Sequence, residues 1–442
     1  MKKPLAIAGG FFVGGAVFLV VERLDTVVIG NPGDVGGMQQ LCLVEENVKR
    51  SFLDELVAFD EFGSRTLMDE REGVPYFINE FWTSKQRQAH RLHEVSYRAC
   101  FKPQLPKFFI ERLTRPGDIV YDPFMGRGTT PLEAAFLGRV PYGNDTNPLS
   151  RAFVEPRISP PTMVQVLQRL DEIPWEDFSS FTEEDLLAFY HPSTLAGLEG
   201  LKGWLLKRQK EGVFDKVDAW IRMVAINRLT GHSSGFFSVY TLPPNQAVSV
   251  DRQRAINEKR SQVPPLRDIK NIIIKKSKTL LSDGVPPVSN GMFLTAQSDL
   301  TRMIEDETVM LTVTSPPFLD IVNYEADNWL RCWFLGVDPK EVRISTHRSV
   351  EDWTHFVGGT LKELARITKK GGHIAFEVGE VRNGSIRLEE NVIKAAKGLP
   401  FEVLAVMINQ QEFTKTSNCW GVNNNRRGTN SNRIVIFRKA NQ

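Results

Sequence analysis

The sequence predicts an α/β protein: a mainly parallel sheet with helices on its faces, interrupted by a long, largely helical insertion. Three observations predict it. Val309-Met310-Leu311-Thr312-Val313 is a short apolar run, the pattern of a strand buried on both faces, and it stops at Thr314-Ser315-Pro316-Pro317-Phe318. Ile119-Val120-Tyr121 is a second such strand; it ends in Asp122 and passes through a Gly126-x-Gly128 turn into a helix-forming stretch. Between them, from Ser150 to about Pro287, the pattern is helical and lacks the short strands that flank it.

Composition sets the outer limits. A chain of 442 residues holds one large domain or two to three ordinary ones. Hydrophobic content of 41% and charge of 24% are those of an ordinary globular protein. The net charge of +2 means that any nucleic-acid surface is a local patch, not a global field. Cys42, Cys100, Cys332 and Cys419 form no C-x-x-C pair, which fits a reducing, cytoplasmic setting and argues against a disulfide framework or a cysteine-rich zinc site.

In chain order, Met1-Lys2-Lys3 precedes a glycine-rich apolar run from Leu5 to Val21. Charge followed by an apolar run is the order of a signal peptide or short membrane anchor. The run is short for a spanning helix, and its Gly9-Gly10 and Gly14-Gly15 pairs weaken helix formation. The alternative is upstream sequence with a functional start nearer Met38, so residues 1–37 are set apart. Residues 38 to 80 read as mixed helix and loop. From Phe81 to Leu113 the reading is a loop, then a helix from about Pro106 that buries Phe108, Phe109, Ile110 and Leu113. His90 and His93 have a spacing compatible with a metal, but no second pair accompanies them, and packing or surface histidines are the better reading.

After the glycine turn, a strand over Arg139 to Gly143 ends at Asn144-Asp145. An acid roughly 20 residues beyond such a turn grips ribose hydroxyls. Together these features predict a nucleoside-containing cofactor on a Rossmann-like sheet. A dinucleotide is the competing reading, weakened because G-x-G-x-x-G is absent and the strand ends in Asp-Pro-Phe.

Inside the insertion, helices are predicted at Met163 to Ile173 and Leu198 to Lys210. An aromatic and amide-bearing stretch runs from Phe236 to Gln246. Residues 251 to 278 then hold nine Lys or Arg against three acids. Arg252, Arg254, Lys259, Arg260, Lys275 and Lys276 are candidate phosphate contacts. The plain alternative is a solvated helix face. The aromatics and amides just upstream favour nucleic acid, because such groups stack on bases or read them.

The sheet pattern then resumes. Met292 to Thr295 reads as a strand followed by Asp299, and Tyr324 to Phe334 as an amphipathic helix whose Trp329 and Trp333 belong to the core. Leu361 to Ile367 is helical and is ended by Lys369-Lys370-Gly371-Gly372. A strand from His373 to Gly379, a helix at Asn391 to Ala396, and an antiparallel pair (Phe401 to Asn409, Arg433 to Phe437) complete the pattern. The loop Asn418 to Asn432 is either an exposed turn or a contact to phosphate or base.

Asp122-Pro123-Phe124-Met125-Gly126-Arg127-Gly128-Thr129-Thr130 is very similar to motif I of the DNA amino-methyltransferases, and Thr314-Ser315-Pro316-Pro317-Phe318 resembles their motif IV. The resemblance covers most of residues 81 to 150 and 290 to 442. It implies S-adenosylmethionine as cofactor on a Rossmann-like methyltransferase sheet. Asp122, Phe124, Gly126, Gly128 and Thr129 would line the methionine part, Asp145 would take the ribose, and Asp299, in the place of motif III, the adenine. The segment before motif I stands where one permutation carries motif X.

Four segments follow: 1–37; 38–150 with motifs X and I; 151–287 as a target-recognition insertion; and 288–442 with motif IV. Arg127 departs from the serine that the family often has there, and the insertion precedes the presumed motif III instead of following it. The serine version of motif IV is typical of cytosine-N4 enzymes. The implied chemistry is methyl transfer to an exocyclic amine of a flipped-out base, with Ser315 Oγ and the Pro316 carbonyl accepting amino protons, Pro317 shaping the corner and Phe318 stacking on the base. The implied partner is DNA, with room for a cognate restriction endonuclease. Adenine-N6 or RNA methylation, and a non-catalytic nucleic-acid-binding protein, are the competing readings.

Overall fold

The computed structural model describes residues 10–13, 16–19, 22–23, 26–27, 51–83, 89–97, 100–241, 247–317, 324–342, 347, 349–381, 386–410 and 431–441. The chain divides into two compact units, residues 1–55 and 56–442. In the first, Gly10–Val13 pairs antiparallel with Ala16–Leu19, and Glu22–Arg23 with Thr26–Val27. Among the described residues no helix is long and apolar enough to cross a membrane.

In the second unit, nine strands pair into one sheet. They are β1 (Leu67–Arg71), β2 (Val74–Asn79), β3 (Ile119–Asp122), β4 (Val140–Asn144), β5 (Met292–Leu294), β6 (Val309–Thr314), β7 (Thr368–Val378), β8 (Phe401–Gln410) and β9 (Ser431–Lys439). Their order across the sheet is β1-β2-β8-β9-β7-β6-β3-β4-β5. β6 lies between β7 and β3, parallel to both, and Leu311 and Val313 are fully buried. A strand covered on both faces needs no polar alternation, which is why its sequence is an unbroken apolar run. β9 is antiparallel to both β7 and β8. The closing pair expected at the C-terminus is therefore present.

Residues 67–79 correct the expectation of mixed helix and loop for residues 38 to 80. β1 and β2 form a hairpin, and β2 extends the sheet by pairing parallel with β8. The turn is Glu72-Gly73, both at positive φ (50° and 77°), the geometry of the tight two-residue hairpin turn. Glutamate is an unusual residue for that position. β1 is also almost wholly exposed, so no alternation marks it.

Helices cover both faces: α1 (Gln104–Leu113), α2 (Thr129–Phe136), α3 (Pro148–Ile158), α4 (Met163–Glu172), α5 (Pro192–Lys210), α6 (Lys216–Ile226), α7 (Val250–Arg260), α8 (Ile269–Leu280), α9 (Tyr324–Leu335), α10 (Val350–Ile367) and α11 (Leu388–Ala395). α10 begins well before the expected Leu361. Ser349 caps it by accepting the Asp352 N–H, and Gly358-Gly359, poor helix formers, lie inside it. It ends at Ile367 and β7 starts at the next residue, so Lys369-Lys370-Gly371-Gly372 is strand and not a helix terminus.

α3 to α8 occupy the whole interval between β4 and β5. Their apolar faces close one core around Trp220, Phe189, Phe153 and Leu198, which continues into α9. Trp329 and Trp333 pack against that core, as expected of core tryptophans. Buried Asp218 ties α4, α5 and α6 together: Arg169 donates to one carboxylate oxygen and Arg208 to the other.

Candidate active site

The carboxyl ends of β3, β4, β6 and β7 converge on one edge of the sheet, where ligands bind in open α/β folds. Asp122 closes β3. It is 1% exposed, and its Oδ1 accepts the Thr314 hydroxyl at 2.6 Å and the Phe124 N–H at 3.0 Å. Burial raises its pKa to about 7, while the hydrogen bonds from Thr314 and Phe124 work the other way. Asp122 thus fastens the first glycine-rich element to the last residue of β6, next to Ser315. Thr130 of α2 adds a second tie by donating to the Val313 carbonyl at 3.0 Å.

The turn after β3 is pinned by Asp145. Its two oxygens accept the N–H groups of Gly126 and Asn147, each at 2.9 Å. Burial raises the Asp145 pKa, and these two backbone donors oppose the shift. Gly126 has φ +48°, and a Cβ there would stand 3.5 Å from the Tyr97 ring. Gly128 serves a different purpose: with φ +79°, its missing Cβ would lie 2.3 Å from Val154, so the glycine lets α3 close on the turn. Thr129 is likewise buried, accepting from Arg127 Nε at 3.3 Å. Of the predicted cofactor residues, Asp122, Phe124, Gly126 and Asp145 meet at this turn; Gly128 and Thr129 support it from the core side. Phe124 packs 5.6 Å from Phe356 of α10, and Asp299 is exposed beside Gly359 of the same helix.

Residues 89–97 and 100–103, here called the strap, lie against the turn, and two arginines hold them. Arg127 donates to the carbonyls of Val95 and Phe101; Arg157, fully buried, donates to those of Leu92, Phe153 and Arg127. Burial depresses the Arg157 pKa to about 9, with Arg127 adding to the effect. The family departure at Arg127 is therefore a clamp on the strap. The two histidines belong to the same region: His93 is paired with Glu133 at 2.7 Å and is buried, and His90 Nδ1 accepts from Leu92 N–H.

Beyond β6 the chain turns at Ser315-Pro316-Pro317; Phe318 lies outside the described residues, as do residues 411–430 in the Asn-rich loop and Leu242 to Gln246. Trp353 of α10, buried, donates its indole N–H to the Pro317 carbonyl at 2.9 Å and fixes the corner. Ser315 faces Glu377, buried near the end of β7. Burial raises the Glu377 pKa, and hydrogen bonding by Ser315 and by the Asn432 amide (2.9 Å) restrains the rise.

Sequence reasoning missed Tyr97, Glu377, Trp353 and Arg157, and marked Arg127 only as a departure from the family pattern. Only Asn147-Pro148 carried a readable signal near the site, an N-cap followed by proline at the first helical position.

The six predicted cations separate into two groups. Arg254 is paired with Asp185 and Asp251, Lys276 with Glu94, and Arg260 stacks over Tyr240 at 3.8 Å. Arg252, Lys259 and Lys275 are exposed and have no ion pair among the described residues.

The arrangement fits S-adenosylmethionine. An ionised Asp145 only accepts hydrogen bonds and keeps lone pairs for ribose hydroxyls, and the bare backbone at Gly126 leaves space beside the Tyr97 ring. The strand order, with β9 antiparallel between β7 and β8, and the paired corners after β3 and β6 are those of the S-adenosylmethionine-dependent methyltransferase fold. Residues 51–150 match the family model described as DNA methylase. The chain is 24% identical to the Type II methyltransferase M.BsoBI of Geobacillus stearothermophilus over 310 residues, 63% of this chain and 58% of that protein. It is 27% identical to the Type II methyltransferase M.MvaI of Kocuria varians over 149 residues, 33% of this chain and 28% of that one. These matches support the resemblance to the DNA amino-methyltransferases. The chain spans well under two thirds of the length of these relatives. Among solved structures, TrmN from Thermus thermophilus overlays with a TM-score of 0.31 at 12% identity, covering 79% of this chain and 51% of TrmN. At that score the fold assignment rests on the strand order.

Proposed function

We propose that the chain methylates DNA at the exocyclic N4 of cytosine in a flipped-out base. The observation that carries this is the Ser315-Pro316-Pro317 corner, joined to the cofactor turn through the Thr314–Asp122 hydrogen bond and backed by Glu377. S-adenosylmethionine supplies a methyl group made electrophilic by its sulfonium. The corner's task is to make the target amine a nucleophile, because its lone pair is delocalised into the ring. Ser315 Oγ and the Pro316 carbonyl accept the two amino protons and favour a pyramidal nitrogen. The Pro317 carbonyl is already engaged by Trp353, which fixes the corner.

After transfer the nitrogen sheds one proton. It passes to Ser315 Oγ while the serine's own proton moves to Glu377, whose burial has raised its proton affinity. Positioning and fixed dipoles supply the rest of the rate. Phe318 stacks on the base, and Asp122, Phe124, Gly126, Asp145 and Asp299 hold the donor. Residues 151–287 read the target, with 38–150 and 288–442 forming the catalytic part. A restriction endonuclease of the same specificity is the fitting partner, in the cytoplasm where both meet DNA.

The test is transfer of labelled methyl to plasmid DNA and to total RNA, with nucleosides resolved by mass spectrometry and a Ser315→Ala control. N4-methylcytosine in DNA, lost in the variant, establishes the reading. N6-methyladenine, or label only in RNA, overturns the substrate while keeping fold and donor.

A further inference from the structure

The helical segment contains a cavity of about 400 Å³ with a one-sided chemistry. Its floor is a stripe of α8 at helical spacing, Asn271, Lys275, Lys276 and Thr279; Arg228, just beyond α6, and Arg267, just before α8, complete the wall. Two acids approach it, and both are committed. Asp268 caps α8 by accepting the Asn271 N–H, and Glu94 holds Lys276 at 2.7 Å.

Arg228, Arg267 and Lys275 have no carboxylate partner among the described residues. Arg267 Nε is buried without an acceptor among the described residues, a cost that an arriving acceptor relieves. The Arg228 guanidinium is oriented in advance: its Nε donates to the Asn227 carbonyl at 2.9 Å and its plane lies 4.0 Å from the Phe236 ring. Burial pushes the Arg228 pKa down to about 10 and, with help from Arg228, depresses Lys276, in both cases against the opposing charge of Glu94.

We propose that this cavity binds one phosphate of the DNA backbone beside the target base, held by Arg228, Arg267 and Lys275. The proposal rests on the DNA reading above and deepens it. Its place in the fold agrees. Asn227, next to Arg228, accepts the Ser96 N–H and donates to the Glu94 carbonyl. The following residue, Tyr97, lies against Gly126 of the donor turn. One stretch of backbone therefore joins cavity and turn over a distance on the order of 10–15 Å, the reach of a few nucleotides. Of these three residues only Lys275 was among the cations singled out in the sequence; Arg228 lies outside the basic run altogether.

The test uses the full chain with Lys275→Gln, Arg267→Gln and the double variant. Duplex binding is followed by fluorescence anisotropy over a salt series, beside donor binding by calorimetry. The expected result is a salt slope shallower by about 1 in the double variant, the loss of one phosphate contact, with donor affinity unchanged. An unchanged slope in variants that still bind donor overturns the proposal. Lys275 is exposed, so Lys275→Gln keeps the test open if Arg267→Gln fails to fold. A wild-type chain that binds donor but no DNA overturns the DNA reading, and the phosphate assignment with it. Inorganic phosphate bound by the wild type and lost in the double variant, with the DNA slope unmoved, marks a free-phosphate site and also overturns the proposal.

Discussion

Two buried aspartates, Asp122 at the sheet edge and Asp218 in the helical segment, are treated in opposite ways. Asp218 is fully buried and carries two guanidinium groups, those of Arg169 and Arg208, as well as the N–H of Asp215. Burial works against the Arg169 charge, but the carboxylates of Asp215 and Asp218 more than offset it, and its pKa is raised. Asp122 is as deeply buried, yet its partners in hydrogen bonding are the hydroxyls of Thr314 and Thr130 and a backbone N–H, and its pKa rises to about 7. Around Asp218 the helical segment balances its buried charge locally. The sheet edge leaves a carboxylate without a cation at the place where a sulfonium donor is expected, and the cavity by α8 leaves cations without an anion. At these three places, charge without a counter-charge stands where a ligand is proposed and balanced charge holds elements together; buried Arg157, which clamps the strap through carbonyls alone, shows that the contrast is not a rule for the whole molecule.

The largest test of that contrast removes the balance. Asp218→Ala takes from Arg208 its only carboxylate partner among the described residues and leaves Arg169 with Asp215 and Glu172, and should lower stability by about 3 kcal/mol, the lower end of the usual cost of breaking a buried ion pair from one side. Thermal or urea unfolding measures it; a change below 1 kcal/mol would mean that the pair is not a keystone. Next in size, Ser315→Ala should lower kcat about 10²-fold with donor affinity unchanged, because a positioned polar group at the reacting atom is lost while the donor turn is untouched. Equal losses in kcat and donor binding would show instead that the corner and the turn collapse together.

A smaller effect is expected at Asp122. Its folded pKa is raised above the unfolded value, so the associated stability is present in full below about pH 4 and is lost as pH rises through about 7. Asp122→Asn keeps an acceptor for Thr314 and cannot ionise. Its stability relative to wild type should therefore climb between pH 5 and 8, by on the order of 2 kcal/mol. Melting curves at several pH values decide it, and parallel curves for the two proteins would sink the idea.

How much of this could be read beforehand follows from what local sequence encodes. β3, β6 and the turn at Gly126 were legible because a strand buried on both faces is a continuous apolar run and a tight turn demands glycine. The hairpin of β1 and β2 was not, because an exposed edge strand needs no pattern and its turn places Glu72 at positive φ. The start of α10 was obscured by Gly358-Gly359, whose weak propensity tertiary packing overrides. Within the site, Asp122, Asp145 and Ser315 stand at strand ends and are found by position. Glu377, Tyr97 and Arg157 meet the site only through contacts 30 to 60 or more residues apart in sequence, such as Arg157 to Leu92, and no local pattern announces them. The charge run of residues 251–278 was visible, but which of its members are free depends on acids elsewhere in the chain, Asp185 and Glu94 above all.

The smallest expected effect is at Arg252 and Lys259 on α7, which, among the described residues, are unpaired like Lys275 and Arg267 but line no cavity and have no buried donor such as Arg267 Nε beside them. Exposure removes most of the significance of the missing partner, because solvent screens the charge and no donor is stranded. The double variant Arg252→Gln with Lys259→Gln should leave stability within about 0.5 kcal/mol of wild type. Its DNA salt slope should change less than that of the Lys275→Gln, Arg267→Gln pair, although each variant removes two positive charges. Measuring both slopes in one salt series separates the two kinds of unpaired cation. A larger change from the α7 pair would mean that the phosphate track runs over the exposed helix, and that lack of a partner inside the cavity is no better guide to a ligand than lack of one outside it.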